Sequence, residues 1–146
     1  MKKELVVKIN KYLANVGVEY VKLHNLHWNV VGLQFKPVHE YLESLYDNMA
    51  EVLDEVAELL KMNGEYPLAS LKDFLAVAEV KELESKDYSV KESLEIALAD
   101  IKLLRENAKE LRLLAAEEDF YPLQVMMEDH LGNYNKVVWF IESMLK

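Results

Sequence analysis

Histidines and closely spaced carboxylates are the residues of this chain with types and spacing suited to chemistry. His39, Glu43, Asp47, Ala50, Asp54 and Glu58 recur at steps of 4, 4, 3, 4 and 4, which sets one imidazole and four carboxylates on one helix face. No Lys or Arg lies between Pro37 and Lys61, so these acids find no i,i+4 partners in that stretch and repel one another. A bound cation, a partner surface or plain solvation must offset that cost. His27, twelve residues before His39, falls on an apolar stripe, where a histidine is either a hydrogen-bonded core residue or a ligand. With His39 and Glu43 it makes a set of two nitrogens and one carboxylate, suited to Fe(II), Mn(II) or Zn(II) rather than Ca²⁺ or Cu(I).

Asp54 and Glu58 would add oxygen ligands, but helix geometry intervenes. The His39/Glu43 pair and the Asp54/Glu58 pair are 15 residues apart, roughly 22 Å along a helix, so one chain cannot bring both to one metal. Two copies of this helix, antiparallel about a two-fold axis near Asn48, would place Asp54 and Glu58 of each beside His39 and Glu43 of the other. Two identical sites per dimer result, in an isologous interface.

The elements that must position these residues are legible as helices. Ile9, Leu13, Val16, Tyr20, Leu23, His27 and Val30 step by 4 and 3, giving a first helix that stops near Val31-Gly32. Pro37 suits the first turn of a second helix, with an apolar stripe of Leu42, Tyr46, Met49, Leu53, Val56 and Leu60 and a C-terminal cap at Asn63-Gly64. Ser70-Leu71-Lys72-Asp73 resembles a capping box and predicts a short helix to about Val77, within a connector that crosses one end of the domain. Ser89-Val90-Lys91-Glu92 starts a third long helix through Leu94, Ala97, Ile101, Leu104, Ala108, Leu111 and Ala115. A break at Glu117-Glu118-Asp119 and Pro122 precedes a fourth, marked by Leu123, Met127, His130, Tyr134, Val137, Ile141 and Met144. The reading is an all-α four-helix bundle, one domain over 1–146, with a short helix in the long connection between the second and third helices.

Composition closes off other classes. There is no Cys, which excludes thiolate catalysis, Cys-ligated zinc and iron-sulfur clusters and fits a reducing, cytoplasmic setting. No stretch of about 18 apolar residues predicts a membrane span, and the N-terminus has no secretory h-region. With 17 Lys and Arg against 26 Asp and Glu, the net charge is −9.

His24-Asn25-Leu26-His27-Trp28-Asn29-Val30, then Gly32, Phe35 and His39-Glu40, resemble the signature of the Dps family, the mini-ferritins. The spacings from His27 to His39 and from His39 to Glu43, Asp54 and Glu58 match that family's inter-subunit ferroxidase ligands, and Val138-Trp139-Phe140-Ile141-Glu142 is also family-like. Glu43 departs from the family's aspartate by one methylene, keeping the charge and changing the reach. No His has Glu three residues before it, so the intrasubunit di-iron pattern of larger ferritins is missing.

The resemblance implies a homo-oligomer, a hollow dodecamer that oxidises Fe(II), preferentially with hydrogen peroxide, and stores ferric mineral in defence against oxidative stress. It makes His27, His39 and Glu43 of one subunit and Asp54 and Glu58 of its two-fold mate the metal ligands, with zinc or manganese as substitutes for iron. Trp28 adjoins the site either as an electron donor or as a packed interface residue. His24 and His130 are read as satisfied surface or core histidines, and Glu40 and Asp47 as cavity-facing or solvated acids. DNA coating is disfavoured: the N-terminal Lys2, Lys3, Lys8 and Lys11 are few, and a −9 chain repels phosphate. The alternatives are a nucleoid DNA-binding protein and a non-catalytic helical oligomer that binds divalent metal through the same ligands.

Overall fold

The computed structural model describes residues 1–146 as five helices and one short strand pair: α1 (Lys3–Asn29), β1 (Val30–Val31), α2 (Phe35–Met62), α3 (Leu71–Val77), β2 (Tyr88–Ser89), α4 (Val90–Glu117) and α5 (Tyr121–Leu145). The long helices pack α1 against α2 and α4, and α4 against α5. This is the all-α four-helix bundle read from the periodicity, with its short helix in the long connection. The buried stripes are those of the sequence, for example Leu42, Met49, Val56 and Leu60 on α2 and Leu94, Ala97, Ile101 and Leu104 on α4. No helix is long and apolar enough to cross a membrane.

Local chemistry sets the helix ends. Ser70 Oγ accepts from the Asp73 N–H at 3.2 Å, and Ser89 Oγ from the Glu92 N–H at 3.1 Å, each satisfying a first-turn donor. At the end of α2, Gly64 takes φ +78° and the Glu65 N–H bonds back to the Leu60 carbonyl, a left-handed cap that glycine enters without strain. The start of α2 differs from the expectation, since it begins at Phe35 and Pro37 is its third residue. First-turn N–H groups have no helical partner, so proline is tolerated anywhere there. Lys36 therefore belongs to α2 and lies 3.8 Å from Glu40, an i,i+4 partner that a helix starting at Pro37 would leave out.

The connection between α2 and α4 is pinned to α1 by three asparagines. Asn10 Oδ1 accepts from the Leu68 N–H at 2.8 Å, and Asn15 Oδ1 accepts from Glu79 and Val80 at 2.6 and 3.1 Å. Asn25 Nδ2 donates to the Leu83 and Glu84 carbonyls. The parallel pairing of Val30 with Tyr88 and Val31 with Ser89 fastens the far end of the connection, a feature too short for periodicity to announce.

α3 sits on α1 at Gly17, where an added Cβ would lie 2.6 and 2.7 Å from Phe74 ring atoms. Gly17→Ala is expected to displace that ring. Alanine's better helix propensity, about 1 kcal/mol, offsets the loss globally, so the effect is local: faster amide exchange over Leu71–Val77 with little change in Tm. Unchanged exchange there would refute the close fit.

A charged cluster is buried between α1 and α4. Lys22 Nζ lies 2.8 Å from Asp100 Oδ2, with side chains 6% and 12% exposed. Glu19 is fully buried beside them with no donor on either carboxyl oxygen. Burial, and after it the charge of Asp100, holds the Glu19 carboxyl well above the ordinary carboxylate range. A proton kept on Glu19 is then the donor that Asp100 receives.

Candidate metal centre

The C-terminal end of α1 and the first turns of α2 bring His27 and His39 face to face. Their rings stack with centroids 3.7 Å apart and 12° between planes. Each ring is held by the other residue's backbone: His27 Nδ1–H donates to the His39 carbonyl at 2.7 Å, and His39 Nδ1–H to the His27 carbonyl at 2.6 Å. A carbonyl only accepts, so both Nδ1 atoms carry protons, and in the neutral ring that leaves each Nε2 with its lone pair, the form in which imidazole binds a metal. No side chain outside the pair is needed to fix this tautomer.

Glu43, one turn beyond His39 on α2, brings Oε1 to 3.9 Å from His27 Nε2. Tyr46 Oη donates to the same oxygen at 3.4 Å, and the Tyr46 ring meets His27 edge-on at 5.2 Å. Burial first, then the negative charges of Glu43 and Asp47, push the Tyr46 hydroxyl above its usual range and keep it a donor. Phe35 covers the other side of His39, with centroids 4.9 Å apart.

Asp54 and Glu58 are exposed farther along α2, and no group of three or more histidine and carboxylate side chains converges within one chain closely enough to hold a metal ion. The structure thus stacks His27 on His39 with Glu43 3.9 Å from His27, a half-site short of a complete metal-holding cluster, and leaves Asp54 and Glu58 apart, as the helix rise requires. Trp28 stands beside the half-site, 68% exposed, and packs against His24 at 5.4 Å.

His24 is half-buried, with its Nδ1–H on the Tyr20 carbonyl at 2.7 Å and its ring stacked 3.7 Å from Tyr46. It supports the tyrosine that braces Glu43 and His27. By periodicity alone Tyr46 belongs to the apolar stripe of α2, and the structure adds it to the site. Its spacing three residues after Glu43 was the available signal. Glu40 and Asp47 are exposed. His130 is a core residue with both ring nitrogens satisfied, by Tyr12 and by Glu55.

The family profile of the Ferritin-like domain matches residues 6–146. The DNA protection during starvation protein of Helicobacter pylori is 32% identical over 139 residues, covering 94% of this chain and 96% of that protein. The crystal structure of a Dps protein from Bacillus brevis superposes with a TM-score of 0.94 at 33% identity, covering all of both chains. A Dps protein from Vibrio cholerae, described as a member of a broad superfamily of ferritin-like diiron-carboxylate proteins, superposes with a TM-score of 0.94 at 26% identity over 99% of this chain and 90% of that one. With the bundle, the profile match and these relatives in agreement, the chain belongs to the Dps family of ferritin-like proteins, a family of iron storage and protection.

Proposed function

We propose that this protein is a ferroxidase that oxidises Fe(II) with hydrogen peroxide at sites shared across a two-fold subunit interface, and that it stores the ferric product inside a hollow dodecamer. Fe(II) is the substrate. His27, His39 and Glu43 of one subunit bind it together with Asp54 and Glu58 of the two-fold mate. The observation that carries the reading is the reciprocal backbone lock on His27 and His39, which leaves both Nε2 atoms off the backbone and His27 Nε2 3.9 Å from Glu43 Oε1.

A half-site of this kind lowers the cost of binding because the imidazoles are oriented before metal arrives. The second carboxylate pair from the mate supplies the oxygens that the chain does not bring to its own histidines. In each turnover two Fe(II) give one electron each, the peroxide O–O bond breaks, and two protons from solvent complete two water molecules. Pairing the electrons at one site is what keeps hydroxyl radical out of solution. Trp28, exposed beside the half-site, is proposed as a local electron donor. Zn(II) and Mn(II) fit the same donor set and are expected to compete with Fe(II) without being mineralised.

The absence of Cys supports a cytoplasmic setting, and twelve chains of −9 each disfavour strong DNA binding. The test is size-exclusion chromatography with light scattering, followed on the same peak by Fe(II) oxidation with and without peroxide. A particle near twelve subunits that develops ferric absorbance faster with peroxide supports the reading. A peak with no ferric absorbance above a protein-free control defeats it.

A further inference from the structure

Behind the segment of α2 that carries Asp54, the bundle encloses a row of hydrogen bonds that the shared-site chemistry leaves unused. Tyr12 of α1 and Tyr134 of α5 are fully buried with hydroxyls 2.6 Å apart. Tyr12 Oη also lies 2.9 Å from His130 Nδ1, and His130 Nε2 bonds to Glu55 Oε1. The Glu55 side chain is 44% exposed, so the row ends at the bundle surface.

One arrangement of protons, with the Glu55 carboxylate ionised and the imidazole neutral, satisfies every contact in the row. A carboxylate accepts, so His130 Nε2–H donates to Glu55. His130 Nδ1 then carries a lone pair and accepts the Tyr12 O–H, which leaves the Tyr12 oxygen to accept from Tyr134. The result is a buried phenol hydrogen-bonded to a base whose far side is held by a carboxylate. A phenol loses an electron most readily when its proton can move to such a base in the same step. Burial pushes the Tyr12 hydroxyl well above its usual range, so Tyr12 does not ionise beforehand. The Glu55 carboxylate on the far side of the ring stabilises the imidazolium formed.

We infer that Tyr12 is a redox-active tyrosine that, with His130 as its proton acceptor and Tyr134 donating to its oxygen, supplies the second electron when hydrogen peroxide meets a single Fe(II). The role rests on the shared-site reading, because the row ends at Glu55, one residue along α2 from Asp54, a carboxylate given to the mate's histidines. The step balances. Fe(II) and Tyr12 are each oxidised by one electron, the peroxide O–O bond is reduced and breaks, two solvent protons complete two waters, and the phenolic proton passes to His130 Nδ1. The products are Fe(III), a neutral tyrosyl radical and His130 imidazolium. Without Tyr12 the one-electron step would release hydroxide and hydroxyl radical.

The test is freeze-quench electron paramagnetic resonance on the assembled protein, with one Fe(II) per subunit and excess hydrogen peroxide. A tyrosyl signal is expected that is lost in Tyr12→Phe, retained in Tyr66→Phe, shifted in g value in Tyr134→Phe and shorter-lived in His130→Gln. A second arm photo-oxidises the iron-free protein with a flash-quenched ruthenium complex and reads the same signal. Iron oxidation without a Tyr12 radical in either arm, or a tyrosyl signal that persists in Tyr12→Phe, overturns the inference and leaves the ferroxidase standing. A Tyr12 radical in the ruthenium arm with no iron oxidation in the first supports the redox-active tyrosine and defeats the ferroxidase reading instead. If Tyr12→Phe fails to fold, the g shift in Tyr134→Phe decides, and an unshifted signal there overturns the assignment.

Discussion

His39→Ala and Asp54→Ala proteins, each purified alone, are expected to lose Fe(II) oxidation by more than about a hundredfold, because even outer partners of metal ligands are worth about 10- to 100-fold. Co-expressed, the two variants are expected to recover activity. In a dimer carrying one of each, one site has lost both residues and the other is intact. Random pairing puts that mixed dimer at half of the population, so about a quarter of the parental sites return. Side chains acting within a single subunit give no such recovery. A co-expressed particle as inactive as either variant would therefore remove the shared site, whatever the fate of the iron chemistry. The structure motivates the pairing directly, since His27 and His39 stack with Glu43 beside His27 and no further side chain completes a metal-holding set within one chain.

Lys22→Met is expected to destabilise the bundle by about 3 to 5 kcal/mol in denaturant unfolding, because it leaves the Asp100 charge buried without its partner. Glu19→Gln is the contrasting variant. The Glu19 carboxyl has its folded-state value raised above the unfolded one, so its contribution to stability is full below the unfolded value and is lost as pH rises toward the folded value. Glutamine keeps the donor and does not ionise. The Gln variant should match the parent in acid and gain on it toward neutral pH. Lys22→Met unfolding within about 0.5 kcal/mol of the parent would show that the cluster is not held by this cation.

The helices were legible because their stripes step by 3 and 4 over many turns and because Ser70, Ser89 and Gly64 mark ends by local chemistry. The start of α2 was not, since a proline tolerated at any first-turn position does not say which one it occupies. The asparagine latches were invisible for another reason: Asn10, Asn15 and Asn25 bond to backbone 58 or more residues away, and one sequence carries no record of such distances. In the half-site, spacing singled out His27, His39 and Glu43, while the ring stacking and the crossed carbonyl bonds came only with coordinates. Tyr46, Tyr12 and Tyr134 were hidden by looking apolar. Glu19 and Asp100 had a signal that went unread, since Glu19 lies seven residues after the buried Tyr12 and Asp100 three after the buried Ala97.

The asparagine latches also order events in time. α1 with α2, and α4 with α5, are neighbours along the chain, so each pair can zip up by closing a short loop. The crossover has no such shortcut: its bonds to Asn10 and Asn15 span 58 and 65 residues and need α1 in place as a template. The chain therefore assembles as two hairpins and then a clasp. The clasp, resting on a few side-chain bonds and one two-residue strand pair, is the last part to order and the first to open, while the hairpins beneath it stay closed.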